Sequence, residues 1–459
     1  MQITYQQALD FIFSYTDYEK LARFTYDAAT LDLSRMERLL ALLGNPHRRF
    51  RSVHIAGTKG KGSVAAMGEA ILRAAGFHTG LYTSPHLHTF RERVRVDGRL
   101  LKQEEVVALT EQCRPAIEAV EGITTFEIIT ALGFLHFAQQ GVEWAVLETG
   151  LGGRLDATNV VMPDVTAITS LSYDHMELLG HTLALIAGEK AGIIKPGVPL
   201  VCAPQAPEAM AVIEETCRQR GAELILVGRD WRWQRTASDL SSQTLDIWEE
   251  TTGDRPPVRH EHLRIPLLGQ HQLLNATMAV ALMETLRRQG RAITEEAIHE
   301  GLAQTRWPGR LEVLQQHPFV VVDGAHNPDS VARLVAALAE WFPPARMALI
   351  FGASVDKDIE AMLKALLPLS DYVITTRSRH PRAADPRRLA EMIAPLLRAG
   401  QLLTVSESVA QAVQQALAWA QPADLVCGTG SLFVVGEVRE ALADRLPPDD
   451  WAHEAEPLR

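Results

Sequence analysis

Residues 53–63 read Val53-His54-Ile55-Ala56-Gly57-Thr58-Lys59-Gly60-Lys61-Gly62-Ser63. A short apolar run breaks into a glycine-rich loop, and residues 63–75 then carry a helical pattern that Gly76 closes. Strand, glycine loop and helix in that order suit a phosphate site. Glycines let main-chain amides turn inward and approach an oxygen-rich anion with no Cβ in the way. The helix N-terminus adds unpaired N–H groups and partial positive charge. Lys61 can reach terminal phosphates, and the Ser63 hydroxyl can contact a phosphate or a magnesium ion. The spacing is not the common phosphate-loop pattern, because Gly62 separates Lys61 from Ser63. Gly57, Thr58, Gly60, Lys61, Gly62 and Ser63 are thus candidate phosphate ligands, against the plainer reading of a glycine turn with incidental lysines.

Outward from the loop, strands and helices alternate. Before it, Leu39, Leu40 and Leu43 give a helical pattern that Gly44-Asn45-Pro46 stops, and the first fifty residues read as helices. After it, strands fit 80–83, 144–148 and 165–169, with a helix over 126–139. This alternation predicts an α/β domain, a mostly parallel sheet covered on both faces, of the phosphate-loop ATPase type. Trp231-Arg232-Trp233-Gln234-Arg235 alternates large and polar residues and reads as a half-buried strand in a small antiparallel excursion rather than a nucleic-acid platform; Thr251-Thr252-Gly253-Asp254 reads as a turn. A junction falls near Trp307-Pro308-Gly309-Arg310. Strands at 320–322, 348–351, 372–375 and 424–427 then alternate with helices at 331–341, 359–367, 389–397 and 409–420, which predicts a C-terminal Rossmann-like α/β domain. The expected division is 1–303 and 304–459. The polar tail after Leu446 is expected to fray.

Bulk properties narrow the function. At 459 residues the chain exceeds one comfortable core. A net charge of −11 argues against a general nucleic-acid binder, while a few amides and lysines still suffice for a local anion pocket. Cys113, Cys202, Cys217 and Cys427 lack metal-ligand spacing and read as free thiols. Neither a signal peptide nor a membrane-spanning run is evident, so the expectation is a cytoplasmic monomer with no membrane partner.

Glu148 ends an apolar strand ahead of Thr149-Gly150-Leu151-Gly152-Gly153-Arg154-Leu155-Asp156. A carboxylate at the C-terminal end of a buried strand sits where open sheets bind ligands, and magnesium favours one or two carboxylates plus phosphate oxygens. Asp174-His175 and Glu189-Lys190 carry no assignment by themselves.

Taken in order, these segments resemble one family. Residues 57–63, Thr83-Ser84-Pro85-His86-Leu87, residues 148–159, Asp174-His175, Glu189-Lys190-Ala191-Gly192-Ile193, His271-Gln272-x-x-Asn275-Ala276, Trp307-Pro308-Gly309-Arg310 and Asp323-Gly324-Ala325-His326-Asn327-Pro328 are similar to folylpolyglutamate synthases and dihydrofolate synthases of the Mur ligase superfamily. The resemblance implies an ATP-dependent ligase. It would add L-glutamate to a folate, to dihydropteroate, or to both, through an acyl phosphate. It further implies that Lys61 and Ser63 hold phosphate, that Ser84 and Glu148 ligate one magnesium, and that Glu148 and His175 hold a second. Lys190 would be carbamylated beside that second ion, since a bare ammonium is repelled by magnesium; carbamylation requires the neutral amine. Asn275 corresponds to an adenine contact, Arg310 to ATP phosphate and Asp323 to the ribose. His326 and Ser431 correspond to positions near the incoming glutamate, and Thr125, Phe126 and Asp156 to the pterin region. Closure of the two domains over ATP is expected to exclude water. Lys59 stands where many relatives have asparagine, and Val64 where many have threonine. Another Mur-type amide ligase fits less well, because too little chain precedes Gly57 for a nucleotide-sugar domain. A non-catalytic nucleotide binder leaves Glu148, His175, Lys190, Asp323 and His326 unexplained.

Overall fold

A computed structural model describes residues 3–18, 31–250, 257–342, 346–448 and 450–456. The chain forms two compact units. One comprises Met1–His86, Arg91–Pro266 and His271–Arg306; the other comprises Leu87–Phe90, Leu267–Gln270 and Trp307–Arg459. The second unit is thus completed by two tetrapeptides from earlier in the chain.

The first unit is built on β1 (Arg51–Ala56), β2 (Thr79–Tyr82), β3 (Val94–Val96), β4 (Arg99–Leu100), β5 (Trp144–Glu148), β6 (Val165–Ile168), β7 (Leu200–Cys202) and β8 (Leu224–Leu226), in the order β4-β3-β2-β5-β1-β6-β7-β8. Pairing is parallel from β2 through β8, and antiparallel only where β3 and β4 join the edge. β5 and β6 are buried throughout, and β1 in all but its first residue. That is why they read as unbroken apolar runs: helices cover both faces of a parallel sheet. Each flanking helix has a local cause. Lys61–Ala74 starts at left-handed Gly60. Thr125–Gln140 starts at a Thr124/Glu127 capping box and ends at left-handed Gly141.

β9 (Trp231–Asp239), β10 (Ser242–Glu249) and β11 (Arg259–Ile265) form a separate antiparallel sheet, as the Trp/Arg alternation predicts. Trp231 is buried and Arg232 exposed; the turn expected at residues 251–254 lies outside the described residues.

The second unit holds β12 (Glu312–Gln316), β13 (Phe319–Val322), β14 (Met347–Phe351), β15 (Tyr372–Thr375), β16 (Leu402–Val405) and β17 (Leu425–Thr429), in the order β12-β13-β17-β14-β15-β16. All pairs are parallel except β12 with β13. Its core gathers Val320, Val322, Ile350, Ile374, Val426 and Val435. The expected fraying after Leu446 is corrected at Asp450, which is buried and accepts from the Arg439 guanidinium at 2.7 Å. Among the described residues, no helix is long and apolar enough to cross a membrane.

Candidate active site

Four neighbouring parallel strands, β2, β5, β1 and β6, end on one edge of the first sheet. Their C-terminal ends deliver Ser84, Glu148, the glycine loop and the segment reaching His175, the place where open α/β sheets bind ligands. Gly57 has φ +147°, and a Cβ there would lie 1.8 Å from Thr169 Oγ1. Gly60 has φ +94°, and its Cβ would lie 2.4 Å from Asn275 Oδ1. The bare backbone at these two glycines lets Thr169 and Asn275 pack directly on the loop. Asn275, on the helix Gln270–Arg288, is buried, and its amide donates to Gln272 Oε1 at 2.9 Å.

Lys61 Nζ stands 3.7 Å from Glu148 Oε1, and both Glu148 and Ser63 are buried. Lys190, on the helix Leu183–Ala191, points back into the loop and donates to Gly57 O at 2.9 Å. It is buried, and desolvation, then the Lys61 charge, pull its pKa down to about 7 against the opposing pull of Asp174. His175 is left-handed (φ +50°), with its side chain 40% exposed. Its amide donates to Asp174 Oδ1 at 3.1 Å, while Asp174 Oδ2 accepts from Lys59 Nζ at 3.0 Å. The Thr58 and Lys59 amides both donate to Ser170 O. The loop carrying His175 is therefore pinned to the glycine loop. Ser84, half-buried, precedes a cis peptide to Pro85.

Two of the three residues expected around the pterin, Phe126 and Asp156, meet at Gly150 in the loop after Glu148. Phe126 lies against the loop after Glu148: a Cβ on Gly150 would meet Phe126 Cζ at 2.4 Å. Thr125 is buried, with its hydroxyl donating to Ile12 O and Tyr15 O. Asp156 is also buried; one oxygen accepts from the Gly150 and Leu151 amides at 2.8 and 3.0 Å, the other from the Thr158 amide and hydroxyl. These contacts make Thr125 a tie to the first helix and Asp156 the organiser of the loop following Glu148.

In the second unit β13 and β17 run side by side, and their C-terminal ends bring together Asp323, His326 and Ser431. Gly430 N donates to Ala325 O, and Thr429 Oγ1 to Asp323 O. Asp323 Oδ2 accepts from Leu311 N and Oδ1 from Ala325 N, at 2.8 and 2.9 Å. That ties the Arg310 turn to the His326 turn. His326 Nδ1 lies 2.8 Å from Gly324 O, so it carries the proton, since a carbonyl only accepts. The Arg310 guanidinium lies over Gly324, where a Cβ would meet NH1 at 2.6 Å. Ser431 caps the helix Leu432–Ala441, its Oγ accepting from Phe433 N at 3.2 Å.

Two family descriptions match the chain: Mur ligase middle domain over residues 55–283, and Mur ligase, glutamate ligase domain over 309–432. The dihydrofolate synthase/folylpolyglutamate synthase of Bacillus subtilis is 36% identical over 419 residues, covering 89% of this chain and 94% of that one. The chain belongs to the folylpolyglutamate synthase/dihydrofolate synthase family of Mur ligases. Folylpolyglutamate synthase of Lacticaseibacillus casei is 35% identical, over 90% of this chain and 95% of its own. The structure of Mycobacterium tuberculosis folylpolyglutamate synthase complexed with ADP superposes with a TM-score of 0.85 at 30% identity, covering 95% and 98% of the two chains.

Within and beside the family's motifs, the structure gives contacts that the sequence did not show. Asp174 holds Lys59, Thr169 and Ser170 receive the glycine loop, and Thr158 joins Asp156 to the buried His54 ring at 2.8 Å. Lys59 and Asp174 stand 115 positions apart, with no pattern linking them. Only the parallel order β1-β6 brings them within reach.

Proposed function

We propose that this chain is an ATP-dependent ligase that joins L-glutamate to the carboxylate of a folate or of dihydropteroate. The observation that carries it is the convergence of Lys61, Glu148 and Lys190 on a loop with no room for a side chain at Gly57 or Gly60. A carboxylate is a poor electrophile at neutral pH. Its oxygen attacks the γ-phosphorus of ATP and ADP departs; the glutamate amine then attacks the acyl carbon and inorganic phosphate departs.

With the Thr58 and Lys59 amides given to Ser170 O, the amides of residues 60–63 and the Lys61 ammonium hold the phosphates, and the Asn275 amide serves the adenine. The donors fit magnesium: a buried carboxylate at a strand end, with hydroxyls and one imidazole on adjoining strand ends. Ser84, Ser63 and Glu148 would hold one ion, and Glu148, His175 and a carbamylated Lys190 the second. When bound, the ions supply charge neutralisation among the meeting anions. With its pKa near 7, Lys190 offers carbon dioxide the neutral amine at neutral pH. Arg310 serves ATP phosphate and His326 the glutamate. Asp323 and Ser431 act by shaping that turn, as Asp156 shapes the loop after Glu148. The four cysteines are free and buried, which suits a cytoplasmic, reducing setting.

The test is product mass. Purified protein with ATP and magnesium receives glutamate together with either dihydropteroate or a reduced folate. A glutamyl increment with either acceptor supports the reading, and the two arms separate one activity from two. Absence of the increment in both, with nucleotide bound, refutes it. Carbamylation is read separately, as a carbon-13 carbonyl resonance from labelled bicarbonate that Lys190→Met abolishes.

A further inference from the structure

Three residues outside that site gather on the first unit. His260 lies on β11, while Glu295 and His299 stand one turn apart on the helix Glu295–Gln304. One ligand atom from each lies within 4.8 Å of the other two. His299 Nε2 is 4.0 Å from Glu295 Oε1. His260 is 1% exposed; its Nε2 meets Glu284 Oε1 at 3.0 Å, and its Nδ1 is buried with no hydrogen-bond partner. An ionised carboxylate only accepts, so Glu284 places the ring proton on Nε2 and the lone pair on Nδ1. A buried acceptor left unpaired costs free energy. A cation on Nδ1 removes that cost, with Glu284 as the outer carboxylate that commonly orients a ligating histidine.

We propose that His260 (through Nδ1), Glu295 and His299 form a site for a divalent transition-metal ion of the zinc class. Two imidazoles and a carboxylate select such an ion over magnesium or calcium, which prefer all-oxygen shells. Tetrahedral bonds of about 2.1 Å put ligand atoms roughly 3.4 Å apart, so the cluster must contract. The Glu295 and His299 side chains, 58% and 37% exposed, have the freedom to do so while His260 stays fixed. Three protein ligands leave the fourth position to water. The ion would clamp β11 to the helix Glu295–Gln304. That helix in turn packs closely on Lys61–Ala74, where a Cβ on Gly301 would meet Ile71 Cα at 2.4 Å.

The experiment titrates metal-free, full-length protein with Co²⁺, following the visible absorption of tetrahedral cobalt, and repeats the titration with Zn²⁺ by calorimetry. Wild type and His175→Ala are expected to bind one equivalent with that spectrum. His299→Ala and Glu295→Gln are expected to bind at least tenfold more weakly, with ATP-dependent activity in magnesium unchanged. A Zn²⁺-induced rise in melting temperature should vanish in the same variants. The proposal is overturned if wild type shows no tetrahedral cobalt beyond the His299→Ala/Glu295→Gln double variant. It is equally overturned if His175→Ala, rather than His299→Ala, abolishes the signal.

Discussion

At Gly57 a single methyl group decides whether the loop can form. Its Cβ would overlap the Thr169 hydroxyl, and its φ of +147° is foreign to L side chains. Gly57→Ala is expected to destabilise by about 2–4 kcal/mol and to lower nucleotide affinity at least tenfold, read by urea unfolding and calorimetric titration. His54, fully buried on β1, has its pKa pushed down to about 3, by desolvation and then by the Lys195 charge. It stays neutral when folded, whereas the unfolded chain binds a proton near pH 6.5. The unfolded state therefore holds more protons between those values, so stability is full above pH 6.5 and falls as pH drops toward 3, by at most about 1.4 kcal/mol per unit. Between pH 7 and 5, His54→Gln is expected to lose about 2 kcal/mol less than wild type in chemical denaturation. Residue types were legible where chemistry and position coincide, as for Lys61 in a glycine loop and Glu148 at a strand end. The contacts of Thr125 and Asp156 were not, because a sequence does not say which neighbour takes a hydroxyl or a lone pair: Thr125 donates to main-chain carbonyls, and Asp156 accepts from three amides and the Thr158 hydroxyl.

Elements buried on both faces announce themselves as apolar runs, and those elements position the site. β7 and β8, three residues each, are too short to carry a pattern, and Glu312–Gln316 (β12) is mostly polar because it lines an edge. None of these three strands is read from the sequence, and neither are β3, β4 and β16. The loop from Gly150 to Asp156 is an element of another kind: the Asp156 carboxylate holds its first two amides, and Glu189 and Asn159 hold Arg154. Asp156→Ala takes the acceptor from three amides, those of Gly150, Leu151 and Thr158, and frees the segment after Glu148. Turnover is expected to fall more than tenfold, with a stability loss of about 2–3 kcal/mol, by steady-state assay and denaturant titration. Asp156→Asn should restore part of the stability, since an amide oxygen still accepts. The buried Arg439 plays a like part in the second unit, donating to both Glu312 oxygens, to Asp450 and to the His88 ring. Arg439→Met strands two carboxylates and should cost about 3–5 kcal/mol in the same measurement.

For the whole molecule, a reading from strand and helix texture sees a boundary near Trp307 as a clean cut. It cannot see that Leu87–Phe90 and Leu267–Gln270 belong with the second unit. Their role comes from long-range packing: a Cβ on Gly436 would meet Leu87 O at 2.6 Å, and His88 Nε2 lies 2.7 Å from Arg439. A fragment beginning at Trp307 is expected to melt without a cooperative transition, followed by circular dichroism beside the full chain. A peptide spanning 80–93, added in excess, should recover part of the transition. The same feature bears on synthesis at the ribosome. Leu87–Phe90 emerges long before the strands it will complete, so the nascent chain carries this strip without its final neighbours until β12–β17 have been translated. Ribosome stalling within the last hundred codons should therefore leave a chain that is unusually open to proteases near His88.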